Sequence, residues 1–292
     1  MDHILKSIAF ADQIHGVTLK KFFLITFLLF ASTYAQEITF SGEAKPAGII
    51  IAQGENIISA MLNKRKLLVD KDGTFVFGFD RDAKGKFILR VKQKNQKEKI
   101  FTYILEQREY EKQSLSLPSK FVTPPKRFLK QIKNETAKMK NARAKMEGVK
   151  TAYFNEGFAL PIDSVRITAQ FGGQRILNGK KRKEHNGIDF GGKEGDSVYA
   201  ITDGIVRLAG EKFYYNGNFV LLDHGQGLSS VYLHLSKLHV KNNQVVKKGE
   251  LIGEVGATGR STGPHLHLGI QWYKKRIDPA NILNLNLEQF TD

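Results

Sequence analysis

Three short motifs hold four of the eight histidines in this 292-residue chain: His185-Asn-Gly-Ile-Asp189, Tyr232-Leu-His234-Leu-Ser236 and Gly263-Pro-His265-Leu-His267. In an extended strand side chains alternate, so His265 and His267 project to one face about 7 Å apart, with Leu266 and Leu268 on the other. His185 and Asp189 are an even number of residues apart, which puts both on one face of a strand, and Gly187, Gly191 and Gly192 argue against a helix there. Two imidazoles and one carboxylate with an open fourth position are what a catalytic zinc ion requires. Such an ion lowers the pKa of its water toward about 7 and polarises a carbonyl, which brings amide hydrolysis within reach at neutral pH. The remaining histidines, His234 and one of the His265/His267 pair, suit the roles of general base and of donor to a developing oxyanion. Spacing alone leaves open which of His265 and His267 would bind the metal.

Such groups need strands to carry them, and the composition supplies a β-rich chain: 41% hydrophobic residues, with 27 glycines against 7 prolines. Strand-like stretches cover Val198 to Ile201, Ile205 to Leu208, Phe219 to Asp223, Ser230 to His234 and Leu251 to Val255. Earlier in the chain Thr39 to Ala52, Thr74 to Phe79, the alternating Phe87, Leu89 and Val91, and Ile100 to Leu105 suggest a small β-sandwich. It carries no catalytic pattern, and is expected to be a spacer or docking module. From Pro124-Pro125 the pattern turns helical, with Phe128, Ile132, Met139 and Met146 on roughly one side. The fold expectation is therefore mainly β. It comprises an N-terminal β-sandwich-like accessory domain at 36–118, a basic helical linker at 119–153, a C-terminal antiparallel β domain with a zinc groove at 154–285, and a tail at 286–292.

The net charge of +16 implies attraction to a polyanion. Residues 120–150 contribute ten Lys/Arg against two Glu, half of that excess, so the linker could touch an anionic envelope surface, although a solvated helix face is the default. Helix-turn-helix, aromatic RNP and zinc-finger patterns are missing from the sequence, so no nucleic-acid partner is expected. With no cysteine, disulfides, thiolate metal sites and cysteine nucleophiles are excluded together. Lys20 and Lys21, the apolar run Phe22 to Ala31, and small Thr33 and Ala35 read as a signal peptide at 1–35, cleaved after Ala35, with 1–19 an extension from start-site choice. The apolar run is about half the ~20 residues a membrane span needs, so no transmembrane helix is expected in the mature chain. Export to the periplasm or cell envelope is the expected location.

Residues 154–285 resemble the LytM/lysostaphin-type peptidases, the M23 family of zinc metallopeptidases. That family's HxxxD pattern followed by HxH is present, within the phrases "HNGIDF", "GDSVYAITDGIVRLAG", "GNFVLLDHGQGLSSVYLHLSKL", "VVKKGELIGEVGATGRSTGPHLHLGI" and "RIDP". By position, the resemblance makes His185, Asp189 and His267 the ligands of one Zn²⁺ per chain, and His234 and His265 the catalytic histidines. It implies an endopeptidase acting on the peptide cross-links of bacterial peptidoglycan, the signal peptide and accessory regions favouring the D-alanyl-diaminopimelate bond over glycine bridges. Some relatives with this fold have lost ligands and act as non-catalytic activators of other wall hydrolases. This sequence departs at none of the five positions, which favours an active enzyme.

Other readings of the same region fit less well. "GDSVYAITDGIV" and "VVKKGELIGEV" are similar to biotinyl/lipoyl carrier domains, but the hairpin lysine such a carrier needs is not found, and a carrier has no use for HxxxD plus HxH. Gly253, Gly256, Gly259 and Gly263 are followed by no GK[ST], so they read as turn glycines shaping the site rather than a phosphate loop. Asp203-Gly204 reads as a hairpin turn, His224 as structural and His239 as a surface residue.

Overall fold

An antiparallel sheet of eight strands forms the centre of the fold. Its order runs Val245–Val246, Gly204–Phe213, Gly217–Gly225, Leu228–Leu235, His265–Trp272, Ile188–Gly191 and Ile167–Ala169, with Lys275–Ile277 also paired to His265–Trp272. The computed structural model describes residues 37–115, 124–163, 166–177, 179–181 and 183–283. The expected signal segment at 1–35 and tail at 286–292 lie outside them. Among the described residues no helix is long and apolar enough to cross a membrane.

The two faces of this sheet differ. Ile188, Phe190, Tyr232, Leu266 and Leu268 point into a core in which each is at most 1% exposed. The opposite face carries Leu208, Leu221, Val231 and Leu233, covered by Met139 and Ala142 of the helix Leu129–Ala144 and by Met146 in the turn after it. The expected linker is thus a single helix, after a 3-10 turn at Lys126–Phe128. A three-stranded sheet of Ser197–Tyr199, Leu251–Glu254 and Lys237–Leu238 lies in the same part of the chain. Gly253 sits inside one of its strands rather than in a turn, at a place where a Cβ would meet the Lys237 carbonyl oxygen at 2.8 Å. Asp203-Gly204 is likewise no hairpin turn, since Ser197–Tyr199 before it and Gly204–Phe213 after it pair with different partners.

The N-terminal strands form two facing sheets. One holds Thr39–Gly42, Ile49–Gln53 and Thr74–Gly78, and the other Arg65–Lys66, Ile57–Leu62, Gly85–Gln93 and Lys99–Leu105. Aromatic pairs join them: Phe40 to Phe101, Phe77 to Tyr103 and Phe79 to Phe87, with centroids 4.9, 5.9 and 5.0 Å apart. The stretch Thr39 to Ala52 is two antiparallel strands rather than one, reversing at Lys45 to Gly48, where Ala47 takes a φ of 58°.

Every residue of Thr74–Gly78 is buried. The alternation of phenylalanines suggests one wet face, but the second face is occupied: a Cβ on Gly78 would lie 2.7 Å from Ile277 Cδ1. The open edge of this strand is capped by Gln226, whose Oε1 accepts from the Val76 N–H at 3.0 Å and whose Nε2 donates to the Thr74 and Lys150 carbonyls at 2.9 Å each. Buried backbone groups at a sheet edge need such partners. One side chain thereby ties the N-terminal strands and the residues after the helix to the central sheet.

Candidate metal centre

Sheet register does most of the assembly. Asp189 lies opposite His267 and Gly191 opposite His265, so the carboxylate and both imidazoles share the face away from the core. His185 is not on the strand, which begins at Ile188; it sits in the irregular segment before it. Its position is set instead by Gln170 to Gly173. The His185 Nδ1–H donates to the Gln170 carbonyl at 2.7 Å, its backbone N–H to the Gly173 carbonyl at 2.9 Å, and its own carbonyl accepts from the Gly172 N–H at 2.7 Å.

His185 Nε2, Asp189 Oδ1 and His267 Nδ1 converge at separations of 2.9, 3.1 and 2.7 Å. Burial works to raise Asp189, but hydrogen bonds and charge from His185 and His267 outweigh it and hold the carboxyl well below the usual range. Burial lowers the pKa of His267. With the Nδ1 hydrogen of His185 engaged by Gln170, its Nε2 turns a lone pair toward Asp189 Oδ1, 2.9 Å away, in a half-buried space. Two acceptors repel at this range unless a cation lies between them. Two nitrogens and one oxygen suit a borderline divalent ion, and the Gln170 carbonyl fixes the tautomer as an orienting partner does in metal sites. The donor set therefore fits a metal.

His234 and His265 flank this cluster, with ring centroids 4.9 Å apart. In register Tyr232 opposes Leu268 and Leu233 opposes His267, so strict alternation would send His234 to the core face with Tyr232. Instead His234 has a φ of 67°, which turns its ring toward His265. A non-glycine residue held there costs about 1–3 kcal/mol and marks sites where geometry matters more than stability. The conformation is pinned by three hydrogen bonds. The His234 N–H donates to the Asn216 carbonyl at 3.0 Å, its carbonyl accepts from the Thr258 N–H at 3.3 Å, and its Nδ1–H donates to the Thr258 carbonyl at 2.8 Å. That leaves Nε2 as a bare acceptor, and burial pushes the imidazole down to about 4. His265 is held the same way, its Nδ1–H donating to the Gly263 carbonyl at 2.9 Å and its Nε2 lying 3.9 Å from Asp189 Oδ1.

The other two described histidines lie elsewhere. His224 is fully buried in Gly217–Gly225, where its Nδ1–H donates to the Asp203 carbonyl and Ser230 Oγ donates to its Nε2, both at 2.7 Å. Burial pushes it to about 4, so it stays neutral. His239 is exposed, 2.8 Å from Glu254 Oε1.

Residues 183–279 match the sequence profile of peptidase family M23. They belong to that family. The chain is 45% identical over 129 residues to peptidoglycan DD-endopeptidase ShyA of Vibrio cholerae, covering 44% of this chain and 29% of that protein. It is 36% identical over 122 residues to DD-carboxypeptidase/endopeptidase Mpg of Neisseria meningitidis, covering 42% of this chain and 28% of that one. The chain thus spans less than a third of the length of these curated relatives. A solved M23 peptidase structure from Pseudomonas aeruginosa superposes with a TM-score of 0.59 at 27% identity, over 82% of this chain and 95% of that one. Its coverage reaches beyond the M23 segment into the N-terminal strands.

One glycine beside the converging set shows in the sequence only as a turn former. A Cβ on Gly187 would lie 2.3 Å from the Leu268 carbonyl oxygen and 2.6 Å from His267 Nε2. Alanine at 187 must push the His267 ring or its strand. Gly187→Ala is expected to weaken zinc binding by about 10- to 100-fold, the range for disturbed ligand orientation, measured by competition with a chromogenic chelator. Affinity equal to wild type would show that the ring yields freely.

Proposed function

We propose that this protein is a zinc-dependent endopeptidase that hydrolyses peptide cross-links of bacterial peptidoglycan, the D-alanyl-diaminopimelate bond in particular. The observation that carries the reading is the convergence of His185 Nε2, Asp189 Oδ1 and His267 Nδ1 beside two histidines whose Nδ1–H groups are held by backbone carbonyls. The choice of bond is supported by the names of the relatives, which are DD-endopeptidases and a DD-carboxypeptidase/endopeptidase. In this reading residues 154–285 are the catalytic domain, 36–118 the accessory domain and 119–153 the connector.

His185, Asp189 and His267 would hold one Zn²⁺. When bound, the ion supplies an acidified water and an electrophile for the scissile carbonyl. His234, neutral at pH 7, accepts a proton at Nε2, while the Thr258 carbonyl steadies the imidazolium through Nδ1–H. His265 reaches the same space from the other side and would donate to the developing oxyanion. Water oxygen bonds to the carbonyl carbon, the C–N bond breaks, and the departing amine takes the proton held by the histidine.

The protein would act in the periplasm or cell envelope. Exposed Lys126, Arg127, Lys130, Lys133, Lys138 and Lys140 on the connector would contact anionic envelope polymer. One experiment addresses these points: purified protein is incubated with sacculi, with and without chelator and over a range of salt. Expected are released peptides whose masses match cleaved D-alanyl-diaminopimelate links, loss of release on chelation with recovery on adding zinc, and weaker sacculus binding as salt rises. Release that survives chelation would exclude the metal mechanism, and masses indicating cut glycine bridges would reassign the bond.

A further inference from the structure

The turn that places His185 is itself gripped by the N-terminal strands. The guanidinium of Arg81, from the chain just after Thr74–Gly78, donates through Nε and Nη2 to the Gly172 carbonyl at 3.1 and 2.6 Å. It lies 3.9 Å above the Tyr110 ring, and the Tyr110 hydroxyl donates back to the Arg81 carbonyl at 2.7 Å. Tyr110 presses on the same glycine: a Cβ on Gly172, where φ is +85°, would fall 2.1 Å from Tyr110 Cδ1. Beyond Tyr110 the chain continues as Lys112–Leu115, a strand parallel to Gln174–Leu177, and the Glu111 carbonyl accepts from the Gln174 N–H at 2.8 Å. Gly172 and its neighbours then make the three hydrogen bonds that hold His185.

We propose that Arg81 and Tyr110 are positioning residues for the metal centre, forming a clamp by which the N-terminal strands hold the Gln170–Gly173 turn and so fix His185 as a ligand. The inference rests on the reading of His185 as a zinc ligand. The Arg81 side chain is only 11% exposed, and its planar fork reaches one carbonyl with two donors, a geometry an ammonium does not reproduce. A turn held only by its own backbone would let the His185 ring leave the line to Asp189 and His267, and orientation lost at one ligand lowers metal affinity. The N-terminal strands thereby set the metal occupancy of a centre to which they donate no ligand.

The test compares full-length wild type with Arg81→Ala, Arg81→Lys and Tyr110→Ala. Zinc affinity is read by chelator competition, and amide exchange at Gly172 and His185 is read in the metal-free protein. Expected are roughly tenfold weaker zinc binding in Arg81→Ala, an intermediate loss in Arg81→Lys, and faster exchange at both amides. Hydrolysis should return to near the wild-type rate when zinc is raised above the weakened dissociation constant, which a generally destabilised fold would not do. Should Arg81→Ala fail to fold, Arg81→Lys and Tyr110→Ala carry the comparison. Unchanged affinity and exchange in folded variants, with a wild type that binds zinc, would overturn the clamp alone. A wild type that takes up no zinc would remove the ligand reading of His185 and the clamp with it.

Discussion

Asp189→Asn should reduce bound zinc from about one ion per chain to none that survives desalting, with hydrolysis falling at least about a thousandfold, the rate equivalent of ~4 kcal/mol. The substitution preserves shape and changes charge, which is the property at issue. In the wild type, Asp189 Oδ1 is the one anionic atom of the converging set, 2.9 Å from His185 Nε2 and 2.7 Å from His267 Nδ1. An amide in its place can turn its NH₂ toward a histidine nitrogen and satisfy it, so the cluster no longer needs a cation. Thermal melting with and without added zinc separates this from misfolding. An ion that binds the folded chain at a thousand times its dissociation constant stabilises by about 4 kcal/mol. The wild type should show that shift and the variant should not, while the two metal-free proteins melt close together. Elemental analysis finding a full equivalent of zinc in Asp189→Asn would remove Asp189 from the ligand set.

The sequence reveals this centre unevenly. The alternation of His265-Leu-His267 and the pairing it forces with Asp189 are properties of any strand, so the even spacing was enough to place them on one face. Position 185 was legible only as to residue type. Its even separation from Asp189 suggests a strand, but the strand starts at Ile188, and His185 is held instead by hydrogen bonds to residues twelve to fifteen positions earlier. Backbone carbonyls such as those of Gln170, Thr258 and Gly263 belong to every residue and leave no mark in a sequence, so the partners that set the histidine tautomers could not be read there. The same holds for the clamp, which needs the N-terminal strands docked beside a turn some ninety residues away. The phenylalanine alternation at Phe75, Phe77 and Phe79 located the N-terminal sandwich correctly, yet it could not show that the other face of the strand is buried as well, because that depends on Gly78 admitting Ile277.

His234 is where the alternation rule fails, and the failure separates its chemistry from its conformation. His234→Ala should keep its zinc, since no atom of His234 lies in the converging set, and should lose about 10²- to 10⁴-fold in kcat, the usual contribution of a positioned acid or base, with KM little changed. Alanine at this position still has to adopt a φ near 67°, without the hydrogen bond from Nδ1 to the Thr258 carbonyl that helps hold the histidine there. His234→Gly meets no such restriction. The glycine variant should therefore be the more stable of the two while remaining just as slow, since both lack the imidazole. A non-catalytic activator would tolerate either change, as would an enzyme that used His265 alone for proton transfer. If glycine recovered activity that alanine lost, the strained backbone rather than the ring would be what the reaction requires. If both variants lost zinc, His234 would have to be counted among the ligands rather than as the group that takes the proton.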